Sequence, residues 1–154
     1  MGLTYSVTFD AKAVTGAIDL FEMPAGDRPF SLHALRAWQT TDLGDAAEEV
    51  LRIGLYRAST AGSGGTALTE NGYADGDAQT AKTTVIEYAS GGTSSTSGTL
   101  IGIIPWNIRI PLNEICTPEM RPRIDSADDP LSIRFLAAPT DSITMGAVAV
   151  WEEL

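Results

Sequence analysis

The dominant period in this chain is two. Leu3, Tyr5, Val7 and Phe9 alternate with Thr4, Ser6 and Thr8. Successive side chains of an extended backbone leave opposite faces, so this stretch reads as a strand with one dry face and one wet face. The period returns at Leu51, Ile53 and Leu55, at Leu131, Ile133 and Phe135 around Ser132 and Arg134, and from Ile143 to Trp151. Apolar segments at 13–21, 30–38, 83–89 and 99–110 bring the strand candidates to eight. Alternation slips near Ala34 and Leu35, which reads as a bulge. Pro105 marks its segment as an edge strand or a kink, because proline has no N–H to give a neighbour. Ile104, Trp106, Ile108 and Ile110 fall on one face of that segment. A helix competes only at 41–49, where Asp45 could cap Ala46-Ala47-Glu48-Glu49. The reading there is an acidic loop with at most one helical turn.

Short strands separated by turn signals, with no convincing helix, predict an all-β chain. The expected architecture is a single β-sandwich of jelly-roll type over residues 1–154, about eight antiparallel strands with long loops. No fixed-period repeat is present, so propellers and solenoids fall away. A chain of 154 residues can bury a sizeable core without staples. It has none to use, since Cys116 is the single cysteine and His33 the single histidine. An internal disulfide and a Cys/His zinc site are therefore excluded.

Twenty Asp and Glu stand against ten Lys and Arg, a net charge of −10. Nucleic-acid affinity comes largely from cations neutralising phosphates, so no nucleic-acid partner is expected. The same charge disfavours an anionic membrane surface. Residues 88–108 carry no charge, but the first half is rich in Gly, Ser and Thr and Pro105 interrupts the rest. That is no membrane span. The first residues lack a basic-then-apolar leader pattern, so a product of the cytoplasm that is not secreted is expected. Residues 59–82 form a long loop candidate with five glycines, 90–98 a second one, and 111–130 a proline-rich, irregular stretch. A loop as long as 59–82 in a compact domain is usually functional or mobile.

Motifs for chemistry are weak. Gly62-Ser63-Gly64-Gly65-Thr66-Ala67 fits the dinucleotide spacing, but no helix-forming run follows it, so a loop tip is the reading. Asp75-Gly76-Asp77 begins like a calcium loop, yet Thr80 and Ile86 stand where the glycine and the bidentate glutamate belong. Asp42, Asp45, Glu48 and Glu49 read as a solvated acidic loop rather than a cation site. Neither metal nor cofactor is expected. His33 lies within an apolar strand and Cys116 in the proline-rich stretch, with no nucleophile elbow anywhere. Catalysis is not expected. Trp38, Trp106 and Trp151 sit in apolar strand patterns, which favours burial in a core or subunit interface over a sugar-binding face. Together with Asp42 and Asp45 they form the candidate interface set.

The stretch from Trp38 through Gln39-Thr40-Thr41-Asp42-Leu43-Gly44-Asp45-Ala46-Ala47-Glu48-Glu49 is the most distinctive. It continues through Leu51-Arg52-Ile53 and Tyr56-Arg57 to Gly62-Ser63-Gly64-Gly65-Thr66. With the closing Ala137-Ala138-Pro139, Ser142-Ile143-Thr144-Met145 and Val150-Trp151-Glu152-Glu153-Leu154, it resembles a family of capsid decoration (cement) proteins of tailed bacteriophages. The resemblance covers most of the chain and is loosest over 68–100, with departures in the 90s and in 111–130. It implies a jelly roll without catalytic residues that sits on the virion exterior and bridges major capsid protein subunits. It further implies a homo-oligomer, a trimer ahead of a dimer. The alternative is a carbohydrate-binding or adaptor sandwich from a phage tail or baseplate. The final strand, apolar on both faces, would take its second cover from a subunit interface, and the neutral loops are the first place to look for the partner.

Overall fold

The computed structural model describes residues 2–40, 48–73 and 80–154. Through them run β1 (Leu3–Val14), β2 (Asp19–Met23), β3 (Phe30–Gln39), β4 (Val50–Arg57), β5 (Thr66–Ala67), β6 (Asn71–Gly72), β7 (Ile86–Glu87), β8 (Thr99–Asn107), β9 (Leu112–Ile115), β10 (Arg123–Ile124), β11 (Leu131–Phe135) and β12 (Ile143–Glu153). The one helical element among the described residues is a 3-10 turn, Pro118–Met120. The chain is all-β.

Two antiparallel sheets carry these strands. The first runs β10-β3-β12-β1-β6, with β9 also on β3, and the second runs β5-β7-β2-β11-β4-β8. The long pairings are nested. β1 pairs with β12, β2 with β11, β3 with β9 and β10, and β4 with β8. That is one long hairpin rolled up so that its successive rungs fall alternately into two sheets, which is a jelly roll.

The alternation of the sequence becomes the core. Tyr5, Val7 and Phe9 are buried while Thr8 on the opposite face is exposed. β12 lies at the centre of the first sheet, and Met145, Ala147, Ala149 and Trp151 are wholly buried. Tyr5 stands opposite Trp151 in register, and their rings stack at 5.8 Å. Phe9 and Phe21 join the two sheets at 5.3 Å. The expected slip in β3 is present. The register against β12 passes from Ala34 to Leu32, leaving His33 as the extra residue of a bulge. Pro105 lies on β8, the last strand of the second sheet, as an edge proline should.

Several expectations need correction. The segment 13–21 is not one strand: β1 ends at Val14 and a turn, closed by the Ile18 N–H on the Gly16 carbonyl at 3.0 Å, leads to β2. Residues 83–89 contribute only the two residues of β7. The 99–110 strand stops at Asn107. Ile110 is 62% exposed, and its carbonyl accepts the Trp106 indole N–H at 2.8 Å. The stretch 111–130 is not wholly irregular, since β9 and β10 complete the edge beside β3. Of the helix competitor at 41–49, residues 41–47 lie outside the described residues, and Glu48 and Glu49 are not helical.

Candidate docking surface

The sandwich has an open side where β8, the edge of one sheet, faces β9 and β10, the edge of the other. Register explains what β8 presents there. Val50 lies opposite Asn107, and the Ile108 N–H donates to the Glu49 carbonyl at 3.3 Å. Hydrogen-bonded positions alternate along an antiparallel ladder. Trp106 and Ile104 therefore turn their backbone groups to β4, while Ile103 and Pro105 turn theirs to the open edge. The proline sits where its missing N–H interrupts no existing bond.

Between the two edges lies a groove of about 460 Å³. Leu55, Ile101, Ile103, Ile104, Ile115 and Met120 supply most of its apolar wall. Ile101, Ile103, Ile115 and Met120 are 42%, 48%, 64% and 75% exposed, and Leu100 beside them 43%. Isolated exposed aliphatics are ordinary, whereas a contiguous group along an unpaired strand is the mark of an interaction surface. Glu114, Glu119 and Arg121 are the charged residues of the groove. Cys116 lines it too but is buried. Burial foremost, with Glu114 adding to it, pushes its thiol above the ordinary range against the pull of Arg121. His33, whose carbonyl accepts the Cys116 N–H at 2.8 Å, is held below its ordinary value by burial and by Arg121. Its Nε2 lies 3.1 Å from Glu152 Oε2, which pulls the other way. Cys116 thus belongs to the groove wall, while the His33 ring is turned to Glu152.

The candidate interface residues separate. Trp106 and Trp151 are 1% and 0% exposed, stacked on Phe135 and Tyr5. They are core residues and present nothing to a partner or to a sugar, because the parity that turns them from solvent turns them into the opposite sheet of the same chain. Trp38 remains half-exposed on the outer face of the first sheet, where its indole N–H donates to Asp10 Oδ1 at 3.1 Å. It lies over Gly146, where any side chain would strike the indole ring. Val150 on that same face is 8% exposed. The chain thus covers much of the second face of β12 by itself. Asp42 and Asp45 lie outside the described residues, as do Asp75 and Asp77. Glu48 and Glu49 accept hydrogen bonds from Asn107 and Thr140.

The sequence reading missed a buried polar network on the second sheet. Asp19 is wholly buried and accepts from the Ser95 N–H at 2.9 Å, the Ser95 hydroxyl at 2.6 Å, the Ser132 hydroxyl at 2.7 Å and Arg134 Nε at 2.6 Å. Arg134 also donates to the Ser97 hydroxyl and the Ser95 carbonyl, both at 2.7 Å. Glu22, 1% exposed, accepts from the Gly62 N–H at 2.8 Å and the Tyr88 hydroxyl at 3.2 Å. Burial is the largest influence on Glu22 and raises its carboxyl above the ordinary range. The Gly62 and Tyr88 bonds oppose that, Asp19 adds to it, and Arg134 opposes it. Elsewhere Glu153 Oε1 takes the N–H groups of Lys82 and Thr83, and Glu70 takes that of Val85. The described parts of the Gly/Ser/Thr loops are thus tied to the sandwich by carboxylates. At Gly92, φ is +95°, and an added Cβ would lie 2.6 Å from the Gly64 carbonyl carbon, so loop meets loop at a point only glycine fits. No helix follows Gly62–Gly65, and β5 does, so the dinucleotide spacing has no structural counterpart.

What the open side can do chemically is bind. It offers an unpaired strand edge, an apolar trough and a slight excess of negative charge. No protein-family model, no curated protein and no solved structure matches this chain.

Proposed function

We propose that the protein is a non-enzymatic structural component of a virion, fastened to the outside of a tailed-phage capsid where it bridges neighbouring major capsid protein subunits. It acts as a homo-oligomer. The observation that carries this reading is the exposed aliphatic edge of β8 with Ile115 and Met120 across the groove, a surface suited to another protein rather than to a small polar substrate. The jelly-roll sandwich and the sequence resemblance to decoration proteins support it. The net charge of −10 suits a place outside a DNA-filled shell. Many copies of a small clamp convert modest single contacts into a durable hold. Carbohydrate binding through a tryptophan platform is the poorer reading, because Trp106 and Trp151 belong to the core. The test is addition of purified protein to undecorated capsids, followed by cryo-EM. Ordered density on the outer surface is expected, and a bare shell at saturating protein overturns the proposal.

A further inference from the structure

We infer that the β8 groove takes an extended apolar segment of the partner protein as an added strand, with a lysine or arginine at the end of that segment beside Glu114 and Glu119. This rests on the reading of the chain as a protein that fastens to another protein.

Three observations select this occupant. The groove runs along a strand edge, so main-chain hydrogen bonding is available at Ile103 to a partner in extended conformation. Pro105 then ends the possible ladder, because its nitrogen faces the open edge without a hydrogen. The pairing is confined to the Thr99–Ile103 half of β8, and the bulge that leaves Ile101 between Gly102 and Leu100 shortens it further, so one short strand can add and continuous edge-to-edge growth is prevented. Beside that half the walls are aliphatic, and Ile101, Ile103, Ile115 and Met120 can receive alternate side chains of the incoming strand.

Charge decides between a foreign segment and a second copy. β8 and its approaches are uncharged from residue 88 to residue 108. Within the groove two carboxylates, Glu114 and Glu119, face one guanidinium, Arg121. Arg121 balances one of these carboxylates and leaves the groove with the other in excess. A second copy meeting this one at the groove across a two-fold axis would set Glu114 against its equivalent and Glu119 against its own. A neutral strand with a cationic end meets neither penalty.

The experiment is an NMR titration of the full, isotope-labelled chain with three capped peptides. One alternates valine and threonine over seven residues and ends in two lysines, one ends in two glutamates instead, and one is the lysine peptide with a central proline. The lysine peptide is expected to shift the amides of Thr99–Ile103 and the methyls of Ile115 and Met120, and to bind about tenfold more tightly than the glutamate peptide. The proline peptide is expected to leave β8 unshifted. Ile103 is already 48% exposed, so I103K should keep the native spectrum while abolishing the peptide shifts. Unshifted β8 amides at millimolar lysine peptide overturn the inference, and so does equal binding of the two charged peptides. Concentration-dependent shifts of Ile101 and Ile103 in the protein alone also overturn it, in favour of a second copy. Decoration of capsids without peptide binding retires the strand-addition mode alone, whereas peptide binding without decoration retires the capsid and leaves the groove.

Discussion

Replacing Asp19 by asparagine should unfasten the polar network on the second sheet. The two side chains have nearly the same shape, so the change is in charge and in hydrogen-bond sense. Asp19 offers only acceptors, and four donors converge on it, two on each oxygen. An amide must present N–H groups to one of those pairs. Serine hydroxyls can rotate to accept, but Arg134 Nε and the Ser95 N–H cannot. Arg134 is 12% exposed in its side chain, so its charge cannot escape to water without moving the strand. Removing one partner of such a buried pair costs about 3–5 kcal/mol, because the remaining charge is left uncompensated. For a chain of this length that corresponds to a fall in Tm of roughly 6–20 °C. Urea unfolding at neutral pH measures the loss. Hydrogen exchange should show the amide of Ser95 losing protection first, since its acceptor is gone. The paired variant D19N/R134M should lose less than the sum of its singles, with a coupling above about 1 kcal/mol. A D19N loss below about 1 kcal/mol, or strict additivity, refutes the assignment of the network as the fastening of these loops.

Glu22 should behave in the opposite sense. Its folded carboxyl titrates above the unfolded one, so the folded state holds the extra proton, and this group's contribution to stability falls as pH rises from the unfolded value through the folded one. E22Q should remove that decline and be at least as stable as the parent above the window; equal slopes of unfolding free energy against pH in the two proteins would refute this. Trp151→Ala should cost about 3–5 kcal/mol by opening a cavity against Tyr5, measured by chemical denaturation. Cys116, 9% exposed with a raised thiol pKa, should react with a neutral disulfide reagent at pH 7 far more slowly than in the unfolded chain; equal rates would contradict its place in the groove wall. Gly92→Ala should destabilise by about 1 kcal/mol or more, through both its positive φ and the contact with Gly64.

The long strands were legible because their side chains sort by parity. Leu3 to Phe9, Leu51 to Leu55 and Leu131 to Phe135 each carry the pattern, and Pro105 identified its own edge. β7 was legible only as part of a longer segment, and β5, β6 and β10 were not legible, since two residues hold no period and owe their pairing to a neighbour far along the chain. β9 is four residues with weak alternation and forms against β3. The same parity placed Trp106 and Trp151 on dry faces but could not say whether the opposing face belonged to this chain or another. The groove left a trace that went unused: Ile101 and Ile103 make β8 apolar on its second face as well as its first. The polar network left less. A carboxylate inside an apolar run looks like a solvent face, and Asp19 finds Arg134 across 115 residues of sequence.

The nesting of strand pairs bears on how such a chain comes to be folded. Leu3 lies against Glu153, and the central strand of the first sheet follows every other strand of the two sheets in chain order. While a ribosome is still making β12, both β1 and β3 lack the partner between them and expose their apolar faces. Local hairpins can form early, β4 with β8 among them, but the first sheet closes only after residue 153 has emerged. Long-range pairing of this kind is slow. The incomplete chain therefore passes through a stage with two unpaired strand edges, the stage at which sticking to other nascent chains competes most strongly with folding. A negatively charged chain, each copy repelling the next, is well protected during that interval.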